Sequence, residues 1–203
     1  MLTFRTGAAH LIAEICQNNP YCQDHFVKDN FLALLCRQLD TDEDPSCRVK
    51  AIYAISCLCR DYQPGLDAFA ALDGWSIVVR AIQSNVAKLR TKACFFLAAV
   101  AALDARLVEE LVRMGLVLQL GSILQESDAD ATHEHVLNAL LALVNRSEKA
   151  RADACTPGLE LGPLLRGRVK EWSGREEYEE SVEHCQRLIS LCFKDDEETA
   201  ADR

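Results

Sequence analysis

Between Arg48 and Arg60 the chain runs without Gly or Pro, and its apolar residues Ala51, Ile52, Ile55, Leu58 and Cys59 fall at i, i+1, i+4, i+7 and i+8. That spacing puts them on one face of a helix and leaves Lys50, Tyr53, Cys57 and Arg60 on the other. The pattern returns three more times: Ala8, Ala51, Ala93 and Val136 take equivalent places, spaced 43, 42 and 43 residues. The expected buried sets of the other copies are Ala8, Ala9, Ile12, Ile15 and Cys16; Ala93, Cys94, Leu97, Val100 and Ala101; and Val136, Leu137, Leu140, Leu143 and Val144.

A second marker keeps the same period. About 22 residues after each anchor stands Asn30, Gly74, Gly115 or Gly158, residue types that tolerate the positive φ of a break between helices. Each precedes another apolar helix, starting at Phe31, Trp75, Leu116 and Leu159, the last of them crowded by Pro157, Gly162 and Pro163. A short linking segment such as Gln63 to Phe69 fills the space between. Three helices per 42 residues is the armadillo or HEAT period. One such repeat cannot bury its own apolar faces, so neighbours stack and share a core. The expected fold is therefore all-α: an armadillo-repeat right-handed superhelix of about four repeats, at 5–47, 48–89, 90–132 and 133–168, within a domain spanning 1–193.

The ends depart from the period. Met1 to Phe4 runs straight into helix-like sequence, as expected of a chain that begins inside a repeat. Residues 176–193 read as one capping helix, with Tyr178, Val182, Cys185, Ile189 and Cys192 inward and Glu177, Glu180, Glu183 and Arg187 outward. A terminal repeat needs such a polar outer face. Residues 194–203 read as a disordered acidic tail.

Composition narrows the function. A formal charge of −9 argues against nucleic acid, whose phosphates need clustered Lys and Arg. The ten cysteines include no Cys-x-x-Cys pair, and several lie on apolar faces as small hydrophobes, which suits a reducing compartment. No apolar run is long enough to span a bilayer. His133 and His135, two apart on a helix, point about 200° apart and do not chelate one ion together. Asp40 to Asp44 begins like a calcium loop, but Pro45 and Ala51 stand where Gly and Glu are needed. With no phosphate loop and no nucleophile setting, neither an enzyme nor a cofactor is expected. Asn145-Arg146-Ser147 is a glycosylation sequon, of consequence only in a secretory compartment.

The positions that change from copy to copy are Gly7, His10 and Glu14; Lys50, Tyr53 and Cys57; Lys92, Phe95 and Ala99; and His135, Asn138 and Ala142. Packing does not require them, so they are free to suit a partner. Arg48 and Lys50 match Arg90 and Lys92, giving a basic strip beside Tyr53 and Phe95; Phe96 is a candidate for the core. Basic groups flanking aromatics suit an acidic, folded protein surface. Arg48, Lys50, Tyr53, Arg90, Lys92, Phe95 and Asn138 are the candidate partner-binding residues. Import-type armadillo proteins use a ladder of Trp and Asn for basic peptides, a ligand that this partly basic face does not suit.

At these residues the chain resembles a known family. The segments Arg48 to Leu58, Leu72 to Ser76, His133 to Leu137 and Glu176 to Glu180 are similar to the heat-shock-protein-70-binding protein family, armadillo-type nucleotide exchange factors related to the fungal cytosolic factor. The likeness runs from about Arg5 to Phe193, although the family's further N-terminal helices and flexible leader have no counterpart. The resemblance implies a monomeric co-chaperone of the cytoplasm, extending to the nucleus, more than of the endoplasmic reticulum. It implies binding to lobe II of the chaperone's ATPase domain and promotion of ADP release. The alternative is an armadillo adaptor that tethers a partner without exchange.

Overall fold

The computed structural model describes residues 2–126 and 131–193. The tail expected at 194–203 lies outside the described residues. Those residues form helices and connecting turns, with no strand among them, in two compact units that divide between Leu97 and Ala98.

The first unit holds α1 (Leu2–Cys16), α2 (Pro20–Lys28), α3 (Phe31–Thr41), α4 (Pro45–Cys59), α5 (Gln63–Ala71), α6 (Gly74–Ile82) and most of α7 (Ala87–Ala101). Their starts follow local chemistry. Asn19 accepts from the Cys22 amide at 3.3 Å and Asp44 from the Ser46 amide at 2.7 Å, each just before a proline in the first turn. Both arrangements occupy backbone donors that a helix start leaves open. The α4 helix packs on α1, α3 and α5, and Ala51, Ile52, Ile55, Leu58 and Cys59 are all fully buried.

The first copy departs from its expected core. Ala9, Ile12 and Cys16 are buried, joined by Ala13, but Ala8 and Ile15 are exposed. The α1 helix has α4 against one side, and nothing described lies against the stripe that holds Ala8 and Ile15. The breaks also shift. Asn30 and Gly115 adopt positive φ, at 64° and 75°, but in the other two copies Asp73 (54°) and Glu160 (42°) do so instead of Gly74 and Gly158. Gly74 serves a different need: a Cβ there would sit 2.4 Å from the Phe69 ring. Phe69 is fully buried and meets Trp75 and Phe96 edge-on at 5.0 and 5.7 Å.

The second unit holds the end of α7, α8 (Ala105–Arg113), α9 (Leu116–Glu126), α10 (Ala131–Val144), α11 (Glu148–Ala154), α12 (Leu161–Trp172) and α13 (Glu179–Cys192). Its core takes Val100 and Ala101 from α7 and Val136, Leu137, Leu140, Leu143 and Val144 from α10. The expected single helix at 176–193 is a 3-10 turn at Glu176–Tyr178 followed by α13. Tyr178 stacks on Trp172 at 4.8 Å, and the fully inward row is Ser181, Cys185 and Leu188, against α10 and α12. Val182, Ile189 and Cys192 are half-buried, while Glu177, Glu180, Glu183 and Arg187 face solvent.

Candidate partner-binding face

In the first unit the variable positions converge on Tyr53. Two cations from successive long helices approach its ring: Lys50 Nζ is 6.0 Å from the ring centre and Lys92 Nζ is 5.5 Å away. The Tyr53 hydroxyl donates to Glu14 Oε1 at 3.2 Å and lies 3.4 Å from Gln17 Oε1. The His10 ring stands 6.2 Å away, and its Nδ1 is 3.6 Å from Glu14. Burial, then the neighbouring Cys57 and Glu14, raise the Tyr53 phenol above its ordinary range. The phenol is therefore neutral at physiological pH and acts as a donor.

Phe95 is 44% exposed, and the Arg60 guanidinium lies 5.6 Å from its ring. Phe96, one residue on, is fully buried. Cys57 is also buried, which raises its thiol and removes it from the exposed set. Together the described groups present a phenol and a phenyl ring among Lys50, Lys92 and Arg60. Aromatic faces beside cations of this kind add attraction beyond contact area.

Arg48 and Arg90 are engaged differently from the lysines beside them. Arg48 Nε donates to the Leu39 carbonyl at 2.8 Å. Arg90 Nε donates to the Ile82 carbonyl at 3.0 Å, and its Nη2 to that of Ser84 at 2.9 Å. Leu39 and Ile82 belong to the last turns of α3 and α6, where carbonyls lack intrahelical partners and the dipole favours a cation. The second unit repeats the device. Arg151 donates to the carbonyls of Val144, the last residue of α10, and of Asn145 just after it, and buried Arg168 to that of Leu124 in the last turn of α9 at 2.6 Å. The two arginines stand out in the sequence but this use of them does not, because the carbonyls they reach are fixed only by the fold.

Asn138 lies in the second unit, half-buried on α10, with His135 and Ala142 half-buried on the same helix. His133 is buried. Among the described residues no group of three or more His, Cys, Asp or Glu is placed to hold a metal ion. In the acidic run, Asp40 pairs with Arg80 at 2.9 Å, Asp42 with Arg5 at 3.1 Å, and Asp44 caps α4. No described helix is long and apolar enough to cross a membrane. All ten cysteines are free thiols.

No family model matches the chain. It is 37% identical over 199 residues to Hsp70-binding protein 1 of Mus musculus, covering 98% of this chain and 56% of that protein. It is 31% identical over 167 residues to the Hsp70 nucleotide exchange factor FES1 of Debaryomyces hansenii, covering 81% of this chain and 57% of that one. The chain thus spans little more than half the length of these relatives. Among solved structures, a computationally designed armadillo repeat protein for modular peptide recognition superposes with a TM-score of 0.74 at 16% identity, over 92% of this chain and 74% of the other. At that identity the likeness establishes the fold: the protein is all-α and of armadillo type.

Proposed function

The chain belongs to the family of Hsp70-binding protein 1, and from that premise we propose that it is a co-chaperone that binds the ATPase domain of an Hsp70 chaperone and promotes release of ADP. The observation that carries the reading is the 37% identity along 98% of the chain to a protein named for Hsp70 binding. The likeness to a named exchange factor supplies the activity.

The mechanism is a shift of populations. The ATPase domain alternates between a closed form that holds ADP and an open form that releases it. A factor that binds the open form better stabilises it and speeds release. By reciprocity, bound ADP weakens the factor's own binding. On this reading the factor grips lobe II through Lys50, Tyr53, Lys92 and Phe95 of the first unit; Asn138, on the second unit, is proposed as a contact in its own right. Lys50 and Lys92 meet acidic groups of the chaperone across the Tyr53 ring. Arg48 and Arg90, occupied with helix ends, act at one remove by holding α4 and α7 in place. The cytoplasm, where free thiols stay reduced, is its compartment.

The test is release of fluorescent ADP from an isolated Hsp70 ATPase domain. The chain accelerates release, and the Lys50→Glu, Lys92→Glu double variant loses the acceleration at least about tenfold, the scale expected when close charge pairs become repulsive. A double variant that is folded and as active as wild type overturns the site. A wild-type chain that binds the domain without speeding release overturns exchange and leaves an adaptor.

A further inference from the structure

Seven of the ten cysteines are buried, and burial holds their chemistry back. It pushes the thiols of Cys36 and Cys94 up to about 12 and those of Cys16 and Cys185 up to about 11. Such thiols stay protonated and inert at physiological pH. Of the other three, Cys22 is half-buried in the first unit, while Cys155 and Cys192 come together in the second.

Cys155 caps the end of α11 and Cys192 is the last residue of α13, and these two helices pack together. The Cys155 Sγ donates to the Cys192 carbonyl at 3.0 Å. With standard covalent geometry, that contact keeps the two Cα atoms within about 8 Å, and a disulfide spans about 4–7 Å. Rotation of the two side chains and a small adjustment at two helix ends, where chains fray, close the difference. Both cysteines line one cavity of about 450 Å³, with Thr156, Pro157, Glu160 and Phe193 around it. Cys155 is exposed and Cys192 half-buried, so a small oxidant meets Cys155 first. Burial, then the neighbouring Cys155, push the Cys192 thiol up to about 11, and the Arg151 cation acts against both. The pair stands 37 residues apart in sequence, so no short spacing motif announces it.

We propose that Cys155 and Cys192 are a redox pair, forming a reversible disulfide that staples α11 to α13 when the protein meets hydrogen peroxide. The Cys155 thiolate attacks one peroxide oxygen; the O–O bond breaks, hydroxide leaves and Cys155 becomes a sulfenic acid. The Cys192 thiolate then attacks that sulfur; the S–S bond forms, the S–O bond breaks and a second hydroxide leaves. The two thiol protons convert both hydroxides to water, and the two electrons lost by the sulfurs reduce the peroxide. The bond closes α12 and α13 into a loop and so restricts the unfolded chain. In a reducing compartment such a disulfide is transient, and a small thiol reverses it by exchange. The inference does not depend on the exchange reading, since it uses no residue of the Tyr53 cluster.

Peptide mapping of the 203-residue chain, treated with hydrogen peroxide and then with a thiol-alkylating reagent, tests it. Tryptic peptides 152–166 and 188–194 run joined, and dithiothreitol separates them. The urea midpoint of the oxidised chain rises by about 1 M, and Cys155→Ser abolishes both effects. In Cys192→Ser the sulfenic acid persists at Cys155 and is captured by dimedone. A wild-type chain in which both cysteines remain open to alkylation after peroxide overturns the inference. So does a bond formed between two chains or equally through Cys22, and so do joined peptides without a shifted midpoint. If Cys192→Ser does not fold, Cys155→Ser, at an exposed position, decides.

Discussion

Arg48 and Lys50 stand two residues apart on α4, both positive, on different sides of the helix. Arg48 turns back to the Leu39 carbonyl at the end of α3, and Lys50 stands by the Tyr53 ring. Arg90 and Lys92 repeat the division on α7: the arginine holds two carbonyls at and after the end of α6, and the lysine approaches the same tyrosine. The guanidinium is the better clamp because it is planar, always charged and presents several donors. The ammonium is a flexible point charge that a partner can capture. One basic strip in the sequence is therefore two devices, a seam of arginines that ties helix ends and a pair of lysines beside the Tyr53 ring, the patch proposed above for binding.

Substitutions separate the two. The double change Arg48→Ala, Arg90→Ala has the largest effect on stability, about 2–5 kcal/mol from the loss of charged hydrogen bonds at two helix ends, read from urea unfolding. If it unfolds like wild type, the seam is decorative and the contrast fails. Arg90→Lys keeps the charge but not the fork and costs about 1 kcal/mol, distinguishing geometry from charge. Tyr53→Phe removes a half-exposed hydroxyl bond and costs at most about 1 kcal/mol, while the ring beside the lysines remains and the stimulation of ADP release proposed above is unchanged. Lys50→Ala with Lys92→Ala stays within about 0.5 kcal/mol of wild type in unfolding but weakens Hsp70 binding. A stability loss comparable to that of the arginine pair erases the distinction.

How much of this could be read in advance follows from what each feature depends on. The α4 core was legible because Ala51, Ile52, Ile55, Leu58 and Cys59 share one helical face and have neighbours on that side. Ala8 and Ile15 obey the same spacing and are exposed, because periodicity reports a face and not whether anything lies against it. The breaks were legible to within a residue or two. Asp73 accepts positive φ next to Gly74 because the missing Cβ is needed for the approach of Phe69, a demand that arises only in the packed state. The cluster around Tyr53 was partly visible as Lys50, Lys92 and Phe95. Glu14 and Gln17 as hydroxyl partners, and Arg60 over Phe95, were not, since they join residues that only helix stacking brings together.

The arginine clamps also bear on the order in which the chain folds. Arg48 reaches back nine residues to Leu39, Arg90 eight to Ile82 and Arg151 seven to Val144. Loops of that size close in about 10–100 ns, so these three corners can form while each chain segment is still searching. Arg168 reaches back 44 residues to Leu124 and must wait for α9 and α12 to meet. Stopped-flow kinetics carry the difference: Arg90→Ala slows refolding, whereas Arg168→Ala chiefly speeds unfolding. One chemical contact, made at two sequence separations, acts early in the first case as a nucleus and late in the second as a lock.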